Sequence, residues 1–305
     1  MAGLEWYEAK SVQWHLREYS LKQPIILAYS KGSKKFFRPV LLPTTDTAVK
    51  WLRYFGFPKQ YPHVYQSCVH FDYKKIPSLP PTLPNAAMVA PPRRSPEQHK
   101  TYSNYIDNFK KWKEEVWNEH LDDEGFCVGR DVVYDIDDVY GDDTALTVTA
   151  KLAVHLREEY KVENIEVDYS GSKGFHLVVK WPEASKILGY GEEGLSPLQT
   201  AAKRSWSAIN KSFKDATGHR FREADLSPMR RQGIRRCPFS VHPKTNRVMT
   251  PLERKHILNS DGEIIFDVDK FHYKRMPFPK TPRNYTFPNA LDWADDYLKA
   301  ISAEQ

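Results

Sequence analysis

Asp135 and Asp137 stand two residues apart in the stretch Asp131-Val132-Val133-Tyr134-Asp135-Ile136-Asp137-Asp138. The valines, the tyrosine and the isoleucine are β-branched or aromatic, so the stretch reads as a buried strand. Side chains alternate along a strand, and residues i and i+2 leave on one face. Two carboxylates so placed repel and raise each other's pKa unless a cation lies between them. Hard divalent ions such as Mg²⁺ take oxygen ligands of this kind. A strand end fraying into an acidic turn is the competing reading, because Asp138, Asp142 and Asp143 follow.

A second motif is Ser170-Gly171-Ser172-Lys173-Gly174-Phe175-His176. Two glycines let a turn bring backbone amides close to an anion. Lys173 adds charge, Ser170 and Ser172 add hydroxyl donors, and His176 returns on the next strand, able to donate to a phosphate oxygen. A plain hairpin turn followed by an incidental histidine fits the same residues. The third motif is Pro238-Phe239-Ser240-Val241-His242-Pro243-Lys244-Thr245-Asn246, preceded by Arg235-Arg236. Ser240 and His242 share a face if the segment is extended, with Arg236 and Lys244 flanking them. Several donors with two or three positive charges suit a triphosphate. Asp225 lies upstream in basic surroundings, either as a further acid of the site or in a salt bridge with Arg222 or Arg230.

An acidic pair in a strand, then S-G-x-x-G-x-H, then an Asp, then P-x-S-x-H-x-K-T resembles the archaeo-eukaryotic primase superfamily. Val133-Tyr134-Asp135-Ile136-Asp137 is similar to the V-F-D-I-D of its catalytic small subunit, and Cys237 to Thr245 to S-P-F-S-V-H-P-K-T. The Ser170–His176 turn is also similar to that of the polymerase domain of bacterial end-joining ligases. The likeness covers residues 126–250. It implies an α+β primase catalytic core, with mixed sheets, an RRM-like module and flanking helices. It implies that Asp135, Asp137 and Asp225 are the catalytic, metal-binding carboxylates for two Mg²⁺ or Mn²⁺ ions. It also puts Ser170, Lys173, His176, Arg236, Ser240 and His242 at the incoming nucleotide's phosphates. Ser172, which stands where primases often carry arginine, and Lys244 complete the expected nucleotide-binding set.

The implied activity is template-directed nucleotidyl transfer, as a DNA primase or DNA polymerase, from nucleoside triphosphates on single-stranded DNA. An end-joining repair polymerase of the same superfamily is the alternative. Outside it stand a metal-dependent nuclease, which needs no triphosphate pocket, and a non-catalytic single-stranded DNA-binding module, which needs no clustered acids. A large-subunit-like domain or a helicase is an expected partner. Many small subunits carry a Cys/His zinc stem, but Cys68, Cys127 and Cys237 are too scattered to build it. No structural zinc is expected, which points to a plasmid- or virus-type primase-polymerase.

Composition sets the frame. The 305 residues are 40% hydrophobic, 28% charged and 13% aromatic, with mean hydropathy −0.64, enough for a sizeable core. No run of about 18 apolar residues occurs, so no membrane span or membrane partner is expected. The first residues lack the basic-then-apolar order of a signal peptide. With no C-x-x-C pair and an odd cysteine count, a reducing cytoplasm is expected; the resemblance implies nucleoid-associated replication there if the chain comes from a prokaryote or its mobile element. The net charge of +6 is gathered in clusters (Lys31/Lys34/Lys35/Arg38, Arg93/Arg94, Lys110/Lys111/Lys113, Arg230/Arg231/Arg235/Arg236). These suit phosphate-rich partners as well as solvated faces.

The elements that must position these residues follow in order. One or two helices are expected over 4–22, a strand over Ile25–Ser30, a hairpin turn at 31–34 and a strand over Phe36–Leu42. A helix over Thr45–Phe55 and a strand over Val64–Tyr73 come next. Seven prolines between Pro77 and Pro96 exclude regular helix or inner strand and predict an extended loop. Helix Pro96–His120 carries an aromatic stripe that reads as core. Helix Thr144–Tyr160, strands Ile165–Tyr169 and Phe175–Trp181, and a helix from Ser196 to Gly218 follow. Asp225–Ser240 is expected to be a loop entering a strand, with a late hairpin turn at Asn259–Gly262 and a closing helix from about Asn289 to Ala303. Helices and strands alternate without a strict βαβ beat, so the class is α+β. The expected division is a catalytic domain over 1–280 and a C-terminal helical segment over 281–305 that continues into a longer protein or ends there.

Overall fold

The computed structural model describes residues 4–20, 23, 25–28, 40–41, 63–81, 84, 93–120, 126–137, 145–188, 207–208, 210–218, 228, 233–280 and 286–304. Asp225, the turn at 31–34, the helix expected over 45–55 and the first half of the Ser196–Gly218 helix lie outside them. Among the described residues the fold is mixed α+β, built on two four-stranded antiparallel sheets.

Helices α1 (Leu4–Glu8) and α2 (Lys10–Ser20) open the chain and bury Trp6, Tyr7, Val12, Leu16 and Tyr19. The first sheet contains β1 (Ile25–Ala28), β2 (Val40–Leu41), β3 (His63–Ser67) and, from far along the chain, β9 (Ile234–Arg236), in the order β2-β1-β3-β9. The single strand expected over Val64–Tyr73 is two strands in different sheets. The Ser67 hydroxyl accepts from the Val69 amide at 3.0 Å, and Cys68 bonds Gly233 and Asp131 through its backbone. Past that break β4 (Val69–Phe71) pairs with β5 (Cys127–Arg130).

The second sheet holds β6 (Val132–Ile136), β7 (Ile165–Tyr169), β8 (Phe175–Val179) and β10 (Thr250–Pro251), in the order β10-β7-β8-β6. β8 lies between β6 and β7 and is antiparallel to both. Those two therefore run parallel, and the helix Ala145–Tyr160 between them makes a split β-α-β unit. One face of this sheet (Tyr134, Ile136, Val167, Tyr169, Leu177) packs on Leu146, Leu152 and Leu156 of that helix and on Trp293 and Tyr297. The other face carries charge.

The helix expected over Pro96–His120 is α-helical only over Pro96–Trp112, started by a capping box between Ser95 and Gln98. Lys113–Asn118 winds as a π-helix. Trp112 and Trp117 are five residues apart, which an α-helix would rotate about 140° from one another; the wider π turn brings their ring centroids to 6.0 Å. Both are buried, as are Tyr105 and Phe109, so the aromatic stripe is core.

The closing helix is shorter than expected. Asn289 Oδ1 accepts from Ile165 and Leu291 amides, a 3₁₀ turn follows over Ala290–Asp292, and Trp293 is fully buried before the helix Ala294–Glu304 begins. No helix among the described residues is long and apolar enough to cross a membrane.

Candidate active site

The three motifs converge at one end of the second sheet. Asp135 on β6 pairs across the ladder with His176 on β8, and His176 pairs in turn with Asp168 on β7. A row Asp168–His176–Asp135 thus crosses three strands on the face away from the apolar core. His176 Nε2 lies 3.6 Å from Asp135 Oδ1. Asp137 follows β6, at the mouth of the β7–β8 turn; a Cβ on Gly174 would fall 2.5 Å from Asp137 Oδ1 and 2.3 Å from the Ile136 carbonyl. Only a glycine lets the turn come this close to the acidic strand end.

Inside the turn the Ser170 hydroxyl accepts from the amides of Gly174 (3.3 Å) and Ser172 (3.4 Å), and Tyr169 donates to the Ser172 carbonyl (2.7 Å). Ser170 is therefore a turn-forming residue, and Lys173 stands exposed at the tip. Gly171 has φ +79°, and its α-carbon backs onto the third motif, where a Cβ would come within 3.1 Å of His242 Cβ. The Thr245 hydroxyl donates to the Gly171 carbonyl.

The third motif bends as it leaves β9. Phe239 takes φ +61°, the left-handed region that a bulky side chain rarely enters. Trp6 Nε1 donating to the Phe239 carbonyl (2.8 Å) and the Phe239 amide donating to Met249 (2.8 Å) hold it there. Ser240 follows, fully buried. His242 Nδ1 accepts from the amides of Lys244 and Thr245, each at 3.3 Å, so the proton of the neutral ring sits on Nε2.

Burial pushes the His176 pKa down to about 3, with Arg235 and Arg236 adding to the effect. The imidazole is therefore neutral at physiological pH despite two neighbouring acids. Arg236 also has its pKa lowered by burial, opposed by Tyr65, Tyr7, Asp135 and Asp137, which places its charge within reach of both acids. Among the described residues, His176 Nδ1, Arg236 Nη1 and Ser240 Oγ are buried polar atoms here without a hydrogen-bond partner. Unsatisfied buried polar groups cost about 1–3 kcal/mol each, and in native proteins they call for a ligand or water.

Asp135 is about a fifth exposed (22% of its side chain), and Asp137 is more open. Among the described residues no three His, Cys, Asp or Glu groups stand together as a metal cluster. The Asp135/Asp137 pair is an all-oxygen donor set beside a neutral imidazole and fits a hard divalent ion that has further ligands. Asp225, the third expected acid, lies outside the described residues. Lys244 is exposed, and Ser172 is half-buried in the turn.

Sequence patterning missed the charges behind this row. Glu166 and Asp168, i and i+2 on β7, are fully buried, and the equally buried Arg235 reaches both, Glu166 at 2.9 Å. Lys180 lies 3.9 Å from Glu166 and 3.5 Å from Asp131. Burial pushes Glu166 upward, but Lys180 and Arg235 outweigh it and hold its pKa below the usual value. Burial and the Glu166 charge drive Asp168 well above its usual value. The neutral form of Asp168 is thereby favoured, which lessens the negative charge that Arg235 and Lys180 have to offset on Glu166 and Asp131. The one available signal was a charged E-x-D alternation inside a strand too apolar to be exposed.

No protein-family model and no curated protein matches the sequence. Among solved structures the chain is similar to the polymerase domain from Mycobacterium tuberculosis ligase D in complex with DNA. The TM-score is 0.43 at 12% identity, over 99% of this chain and 88% of that one. At that distance the likeness fixes neither the chemistry nor the arrangement of the core.

Proposed function

We propose that the chain is a template-directed nucleotidyltransferase, a DNA primase or DNA polymerase that joins nucleoside triphosphates on a single-stranded DNA template. The observation that carries this reading is the set of unpartnered buried atoms on His176, Arg236 and Ser240 beside the Asp135/Asp137 pair. A nuclease site needs acids alone, whereas donors and a buried cation next to them suit a triphosphate.

In this reading Arg236 supplies the fixed charge against the phosphates and Ser240 a neutral donor. His176 stays uncharged and gives one N–H without competing for the acids' charge. His242 presents Nε2–H, its other nitrogen being held by two amides. Lys173 and Lys244, exposed at the rim with Ser172, add positive charge where the nucleotide enters; Ser170 shapes the turn that presents it. Asp135 and Asp137, with Asp225, would hold the divalent ions. Two Mg²⁺ or Mn²⁺ ions at such acids supply activation of the attacking hydroxyl and neutralisation of the leaving pyrophosphate. The row of strand residues fixes the acids relative to the phosphate donors, so attacking and leaving oxygens are held in line.

The test is a primed and an unprimed single-stranded template offered labelled NTPs or dNTPs with Mg²⁺ or Mn²⁺. Extension or short de novo products are expected. A pure protein that yields neither product under any of these conditions, and is not stabilised by nucleoside triphosphate, would overturn the reading.

A further inference from the structure

At the other end of β6 a cavity of about 1010 Å³ opens beside Asp131. Asp131 precedes the strand and Asp137 follows it, so the cavity lies roughly 20 Å from the acidic site along β6. Tyr19, Trp181 and Phe287 are among its walls, and His70 and Lys180 supply polar groups.

The walls are built for aromatic contact. A Cβ on Gly129 would fall 2.3 Å from Trp181 Cγ and 2.4 Å from its two ring neighbours. The indole therefore lies flat on the β5 backbone, and Trp181 lines the cavity. Tyr19 and Phe287 meet edge to face at 4.9 Å, with Lys180 Nζ 5.3 and 5.1 Å from the two centroids. Phe287 is 42% exposed, among the few large apolar side chains so open to solvent among the described residues.

The polar groups are also fixed. Asp131 is wholly buried and accepts from His70 Nε2 (2.6 Å), Gln23 Nε2 (2.6 Å) and the Trp181 amide (3.0 Å). A carboxylate can only accept, so His70 Nε2 is the donor to Asp131, and in the neutral ring Nδ1 is an acceptor. Lys180 is a donor in the same cavity. Its charge is already matched by Asp131 and Glu166 at 3.5 and 3.9 Å, which disfavours a bound phosphate.

We propose that this cavity binds a nucleobase with its Watson–Crick edge unpaired, stacked on Trp181 and Phe287 and read by His70 Nδ1 and Lys180 Nζ. Every base carries a flat π-face together with donors and acceptors on that edge, and pairing in a duplex hides both. The base comes either from a single strand or from a free nucleoside. The proposal is independent of the polymerase reading, since the cavity contains none of its residues.

Tryptophan fluorescence and anisotropy are read with no divalent ion and no triphosphate, so the titration reports on this cavity whether or not the chain polymerises nucleotides. The probes are deoxyadenosine, a short oligodeoxyadenylate and an abasic oligomer of equal length. The oligodeoxyadenylate quenches fluorescence and the abasic oligomer does not. Phe287→Ala, a substitution at the surface, weakens binding about tenfold, and Trp181→Phe removes the quench while anisotropy still reports binding. Quenching by deoxyadenosine as well identifies a free nucleoside as a ligand; quenching by the oligomer alone identifies a strand base. Phe287→Ala binding with wild-type affinity, or the abasic oligomer binding equally well, overturns the proposal.

Discussion

The Thr245 hydroxyl donates to the carbonyl of Gly171 across 74 residues of chain, and it does so where the glycine's missing Cβ lets His242 come close. The glycine turn and the Pro238–Thr245 segment are thereby one structure, and a side chain at 171 meets both a positive φ and two atoms 3.1 Å away.

Gly171→Ala is accordingly expected to lower stability by about 1–3 kcal/mol, the usual penalty for strain and overpacking. Because the displaced neighbour is His242, nucleoside triphosphate affinity should fall with it. Urea unfolding and triphosphate titration check the two effects together; a loss of stability with unchanged affinity would detach the turn from the nucleotide.

Asp135→Asn and Asp137→Asn keep side-chain volume and remove charge at the strand end. Each is expected to cut nucleotide incorporation by on the order of 10²-fold or more, with folding retained because neither carboxylate is an apolar-core residue. Primer extension at saturating Mg²⁺ and Mn²⁺, beside a thermal melt, measures this. Near-normal extension by either variant would remove that residue from the metal site.

Glu166 and Asp168 touch the same guanidinium yet should respond differently. Burial and the Glu166 charge favour the neutral form of Asp168, so Asp168→Asn should change unfolding free energy by about 1 kcal/mol or less. Glu166→Gln leaves Arg235 and Lys180 short of an anion and should lose about 3 kcal/mol or more. Denaturant titrations of both variants decide it; equal losses would mean that both carboxyls are ionised.

His176 makes stability depend on pH in a direction that can be worked out. In the unfolded chain it takes up a proton near pH 6.5, while in the folded protein it stays neutral until about pH 3. Between these values the unfolded state binds more protons, so this group's contribution weakens as pH falls. His176→Asn removes the dependence. The stability gap between wild type and variant should narrow by about 3 kcal/mol from pH 7.5 to pH 4.5. A gap that stays constant would show that the folded ring titrates normally.

Local patterning carried the reading as far as single elements. β-Branched runs gave β6, β7 and β8, the glycines gave the turn, and the 3.6-residue stripe gave the helix beginning at Pro96, because each depends on near neighbours in sequence. It failed where a distant partner decided the geometry. Cys68 splits an apparent strand because its backbone is claimed by Gly233 and Asp131. Trp117 forces a π turn because it must reach the same core as Trp112.

From the residue string alone came the acidic pair, the glycine turn and the order of the three motifs, since spacing and residue type are properties of the chain itself. The fold alone decided that Glu166, Asp168 and Arg235 form one buried cluster and that His176 is neutral. A charge is tolerated in a low-dielectric interior only when a counter-charge from another strand is placed against it, and nothing in the order of residues says which strand that will be.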